Sequence, residues 1–182
     1  MSRALPRHEA RERALGVLYE ADLLRRDIAL QLERVANDPH AGALDAFTRA
    51  LVTGVAARRA ELDEVIARHA RGWTIARMPV VDRNLLRLGV YELLHTPQVP
   101  AAVVIDEVVE LAKELSTPDS PRYVNGVLSA VLRSRDAQTA GQMRQEGPSG
   151  AYGTSQPGRP DDAAGTDEEE LHGQPGGGQQ GP

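Results

Sequence analysis

Residues 79–97 read PVVDRNLLRLGVYELLHTP, and their apolar period decides the fold. Val81, Leu85, Leu88 and Leu93 recur on one face of a 3.6-residue helix rather than alternating as a strand requires. Pro79 opens this segment, because the first turn of a helix tolerates a residue without an N–H. Thr96 and Pro97 close it. The period predicts a buried helix at the centre of the chain.

The same period continues in both directions. Upstream, Ala10, Ala14, Val17, Leu18, Ala21 and Leu24 predict a helix over 7–26, entered just after Pro6. Ile28, Leu32 and Val35 predict a short helix stopped by Asn37, Asp38 and Pro39. Leu44, Phe47, Leu51, Val55, Leu62, Val65 and Ile66 predict a long helix over 44–70, closed by Gly72. Downstream, Pro100 opens a helix carrying Val104, Ile105, Val108, Leu111, Ala112 and Leu115 inward. Ser120-Pro121 reads as an N-cap and first-turn proline for a last helix, with Val124, Val127, Leu128, Val131 and Leu132 as its stripe. Asn125-Gly126 falls inside that period and reads as helix, with Gly126 permitting a close helix crossing. The expected fold is all-α, a bundle of two three-helix halves over 7–71 and 79–134.

Composition separates this bundle from a tail. Residues 1–135 hold 19 Lys+Arg against 18 Asp+Glu, whereas 136–182 hold 2 against 8. Eleven of the 17 glycines lie in the second stretch, where Leu171 is the sole Leu, Ile, Val or Phe. Such a segment buries too little apolar surface to offset its chain entropy. The expected domains are a folded helical unit over 1–135 and a disordered, acidic, Gly/Pro-rich tail over 136–182. Its carboxylates from Asp161 to Glu170 read as solubilising.

Several function classes drop out. Without cysteine there is no disulfide framework, thiol nucleophile or Cys-bound zinc. Apolar runs such as Ala101–Ile105 fall far short of the ~20 residues that span a bilayer. The charged first 13 residues are no signal-peptide core, so a cytoplasmic location without membrane contact is expected. Lys113 sits in neither a G-K-[ST] nor an S-x-x-K pattern, and the five histidines lack H-E-x-x-H spacing. Adjacent Asp106 and Glu107 point about 100° apart on a helix, too divergent for an acid/base pair. No enzymatic activity, metal or cofactor is expected.

Two clusters suit binding instead. Arg3, Arg7, His8, Arg11 and Arg13 crowd the start; Arg7 and Arg11, at i and i+4, share a helix side and suit successive phosphates. Pairing with Glu9 and Glu12 on a solvated helix start is the competing reading. The second cluster, Asp119 to Gly126, opens the last helix, whose free N–H groups favour an anion. Arg122 and Tyr123 add a cation and a stacking plane suited to unpaired RNA; packing of Tyr123 on the core is the alternative.

These residues resemble a family. Val81-Asp82-Arg83-Asn84-Leu85-Leu86-Arg87-Leu88 with Tyr91-Glu92-Leu93, then Val99-Pro100, Ile105-Asp106-Glu107, Glu110-Leu111-Ala112-Lys113 and Tyr123-Val124-Asn125-Gly126-Val127-Leu128, resemble the NusB transcription antitermination factors. The likeness takes in Arg7 to Tyr19 and spans about residues 3–134, leaving the tail outside. It implies an all-helical domain that binds boxA RNA of ribosomal RNA leader transcripts with ribosomal protein S10 (NusE) and joins the elongating RNA polymerase complex. It implies RNA contacts at Arg7, His8, Arg11, Tyr19, Asp119, Arg122 and Tyr123, and part of the S10 contact at Val81, Asp82 and Arg83. Some members form homodimers. Glu9 and Glu12 dilute a start that is more basic in other members, and Tyr123 stands where Phe is common. The alternative is a NusB-like RNA-binding or protein-binding helical module without antitermination activity. A similar domain precedes the catalytic part of RNA cytosine methyltransferases, but no glycine fingerprint or strand pattern follows residue 135 here.

Overall fold

The computed structural model describes residues 6–145. Six α-helices follow in order: α1 (Arg7–Leu23), α2 (Ile28–Asn37), α3 (Ala46–His69), α4 (Val80–His95), α5 (Ala101–Leu115) and α6 (Ser120–Gln145). A 3-10 turn, Ile75–Arg77, separates the first three helices from the last three. There is no strand among the described residues, and no described helix is long and apolar enough to cross a membrane. The expected all-α bundle of two three-helix halves is therefore the observed architecture.

α4 is its axis. It packs against α1, α3, α5 and α6, and Leu85, Leu86, Leu88, Val90 and Leu93 are all buried. Its polar residues Asp82, Asn84, Arg87 and Glu92 are buried as well, so the helix is enclosed on nearly every side and its charges must find partners inside the bundle. The core joins both halves: Leu18, Leu51, Leu62 and Ile66 from the first meet Val108, Leu111 and Leu128 from the second. Two glycines allow the close approaches. A Cβ on Gly54 would collide with the Tyr91 ring, and one on Gly89 would lie 2.9 Å from the methyls of Leu128.

Local signals account for most boundaries. Asp27 caps α2 by accepting from the N–H groups of Ala29 and Leu30 at 2.9 and 3.1 Å. Asp45 does the same for α3 through Phe47 and Thr48. α3 bends at Arg58, whose φ of −121° and ψ of 16° leave the helical region.

Four expectations need correction. The first helix ends at Leu23, not at residue 26. There Arg25 enters the left-handed region (φ 51°) while the N–H groups of Arg25 and Arg26 reach back to the carbonyls of Asp22 and Ala21. That is a Schellman closure without glycine. At α6, the Asp119 carbonyl accepts the first helical bond from the Tyr123 N–H, so Ser120 is not the cap; its hydroxyl turns inward to Asp82 at 2.8 Å. Gly126 mediates no crossing, because a Cβ there would meet nothing within 4 Å. Lastly, α6 continues to Gln145, past the expected domain end at residue 135. The remainder of the expected tail, 146–182, lies outside the described residues.

Candidate nucleic-acid interface

The cations at the start of α1 were expected to face a ligand; the structure buries Arg11 and gives its described neighbours partners within the protein. Arg11 is buried, with 1% of its surface exposed. Its Nε and Nη2 donate to the two carboxylate oxygens of Glu92 at 2.9 and 2.8 Å, and its Nη1 donates to Glu107 at 3.2 Å. Arg11 thus ties α1 to α4 and α5 and is unavailable to a phosphate. The reason is register: Arg11 lies three, four and seven residues before Ala14, Leu15 and Leu18, on the stripe that faces the core. Arg7, one turn earlier at i, i+4 spacing, stays at the exposed edge of that stripe.

The neighbouring cations are also engaged. Arg7 is exposed, and its guanidinium lies 3.9 Å from the centroid of the Phe47 ring. His8 sits between Glu107 and Glu114, with a ring nitrogen 3.3 Å from each carboxylate. Partial burial works against the imidazolium, but hydrogen bonds to Glu114 and Glu107 outweigh it and raise the pKa above the usual histidine value. Arg13 donates to the backbone carbonyls of Ala41 and Ala43. Arg3 lies outside the described residues.

Tyr19 and Val81 come together. With Glu12, Leu15, Gly16 and Leu115 they line a pocket of about 350 Å³ between α1, the start of α4 and the end of α5. The other two residues expected at the S10 surface serve the fold. Asp82 is buried and accepts hydrogen bonds from the hydroxyls of Ser116 and Ser120 at 2.6 and 2.8 Å, anchoring the α5–α6 turn. Arg83 donates to Asp22 of α1 at 2.6 Å, and Asn84 and Arg87 donate to the same carboxylate oxygen. Burial would raise the pKa of Asp22, yet these donors hold it down at about 2. Of the three residues, Val81 is the one that lines this pocket.

The start of α6 is the more open cationic region. Asp119 and Arg122 are exposed, and Tyr123 is half-buried. The Tyr123 ring packs against the apolar core on one side, and its hydroxyl is buried without a hydrogen-bond partner. Burial, followed by the nearby Asp82 charge, raises its pKa. Asp119, Arg122 and Tyr123 line one groove with Arg71 from the turn after α3 and Arg133 farther along α6. Trp73, 51% exposed, stands beside Tyr123 with its ring centroid 6.4 Å away. Sequence reasoning singled out neither Trp73, Arg71 nor Arg133. The available signal was an isolated tryptophan between Gly72 and the α4 proline, flanked by Arg71 and Arg77. Among the described residues no group of His, Asp or Glu is arranged to hold a metal ion.

Residues 8–133 match the NusB family, and the chain belongs to it. The protein is 53% identical over 126 residues to the Saccharopolyspora erythraea transcription antitermination protein NusB, covering 69% of this chain and 85% of that protein. It is 49% identical over 146 residues to the Acidothermus cellulolyticus NusB, covering 78% and 97%. The fold superposes on T. maritima NusB with a TM-score of 0.63 at 32% identity, over 72% of this chain and 93% of that one. It also matches a chain in a structure of the antitermination factors NusB and NusE with double-stranded RNA, with a TM-score of 0.62, 32% identity, and coverage of 70% and 96%.

Proposed function

We propose that this protein is a non-enzymatic, cytoplasmic antitermination factor that binds boxA RNA of ribosomal leader transcripts together with ribosomal protein S10, and that the pair joins the elongating RNA polymerase. The observation that carries this reading is the match to NusB proteins across nearly the whole described bundle, including a relative solved with NusE and RNA. Within the bundle, Asp119, Arg122 and Tyr123 at the start of α6 are the proposed RNA contacts. Arg7 adds a phosphate contact and Tyr19 a ring, while Val81 borders the S10 surface. The acidic segment beyond the helices keeps the chain soluble.

A boxA RNA titration with and without S10, beside a scrambled RNA of equal length, tests this. Tighter binding of boxA than of the scrambled strand, strengthened by S10, is expected. If S10 binds but boxA adds no affinity to the complex, the chain is a protein-binding helical module instead.

A further inference from the structure

The groove beside Tyr123 extends well past the helix start. Arg122 and Arg133 are eleven residues apart on α6, three turns and about 16 Å, so both project to the same side. Between them Gly126 and Ala130 leave the floor without bulk; beyond the Gly126 backbone there is open space. Arg71 faces them from the segment after α3, giving a groove of about 730 Å³. All three guanidiniums are exposed, and none forms an ion pair among the described residues. Among the described residues that line it, Asp119 is the sole carboxylate. The contrast with α1, whose Arg11 and His8 are held by glutamates, is plain. Next to Tyr123, a lining residue of the groove, Trp73 presents half its surface at an interplanar angle of 56°.

We infer that this α3–α6 groove is a second, extended single-stranded RNA subsite, with Arg71 and Arg133 on phosphates and Trp73 stacking on a base. The inference rests on the RNA-binding reading above and goes beyond its helix-start contacts. Charge selects the occupant: three unpaired guanidiniums beside two aromatic rings suit a polyanion with flat bases, and cations in line with stacking platforms are how unpaired strands are held. The bare floor at Gly126 and Ala130 leaves room for the strand between the guanidiniums.

The test uses the full chain with S10 and boxA RNA extended by several nucleotides at each end. Trp73 is the only tryptophan of the chain, so the difference in emission between wild type and Trp73→Phe reports on this site alone. RNA is expected to change that emission, and Trp73→Ala to weaken binding roughly tenfold. Arg71→Ala with Arg133→Ala should lower the log–log salt slope by about 1.4, at ~0.7 per phosphate on a single strand. Gly126→Glu puts a carboxylate on the floor without meeting the fold; Gly141→Glu, equally open on the same helix, is the control. The first should weaken RNA binding and the second should not, with thermal unfolding alike in both. RNA binding with constant Trp73 emission, an unchanged slope and equal glutamate variants overturns the groove and leaves the general reading intact. Loss of S10 rather than RNA binding in Gly126→Glu assigns the groove to protein and overturns it too. A complex that binds no boxA RNA overturns both.

Discussion

Arg11 of α1 and Glu92 of α4 form a two-bond fork, Nε to Oε1 at 2.9 Å and Nη2 to Oε2 at 2.8 Å, with both side chains at most 1% exposed. A basic residue ten positions from the start of a nucleic-acid-binding chain invites an assignment to the ligand. Here it cross-links helices, and Glu107 takes its remaining side.

Arg11→Ala should therefore act on folding. Removing one partner leaves the Glu92 carboxylate buried and unpaired, which costs about 3–5 kcal/mol. Replacing both, Arg11→Met with Glu92→Leu, should recover much of that loss. Urea unfolding of the three proteins decides it; a loss under about 1 kcal/mol for Arg11→Ala contradicts the internal role.

Asp22 gathers Arg83, Asn84 and Arg87, and its pKa lies at about 2 against an ordinary 3.8. The folded value is below the unfolded one, so this carboxylate stabilises the fold fully above about pH 4. The contribution, about 2 kcal/mol, fades as pH falls from there towards 2. Unfolding free energies from pH 7 to 2 should drop less steeply in Asp22→Asn than in wild type. Parallel curves would rule the linkage out.

His8 has the opposite sign. Its folded pKa is raised, so the bridge to Glu107 and Glu114 stabilises below the unfolded value near 6.5 and is lost as pH rises through the folded pKa. A proton NMR titration should place His8 above 6.5. Glu107→Gln and Glu114→Gln should each bring it down, and a pKa unmoved by both would refute the bridge.

The glycines should divide by their surroundings. Gly126→Ala meets open space on a helix and should stabilise by about 0.5–1 kcal/mol. Gly54→Ala drives a methyl into the Tyr91 ring and should destabilise by roughly 1–3 kcal/mol. Thermal unfolding ranks them; equal effects would contradict the packing.

Much of this was legible beforehand. The apolar stripes of α1, α3, α4 and α5 marked the helices that form, and the order of motifs marked the family. The Arg11 inversion had a visible signal, since Arg11 falls in the stripe of Ala14, Leu15 and Leu18, just as Glu92 follows Leu85 and Leu88 by seven and four residues. The Arg25 closure had none, because a non-glycine residue in the left-handed region leaves no mark in composition. Nor did Asp82, an acidic residue in the first turn of α4 that reads as solvent-facing until Ser116 and Ser120 are seen against it.

By itself, then, the sequence determined the helices, their order and the faces they bury, since the 3.6-residue period is a property of neighbouring residues. Tertiary structure decided what each cation meets. Arg11 and Arg122 each sit in the first turns of an amphipathic helix. One meets a carboxylate carried 81 residues away and is spent on the fold; the other meets solvent and an open groove. A charge is neutralised by whatever packs opposite it, and that partner is set by how the helices cross.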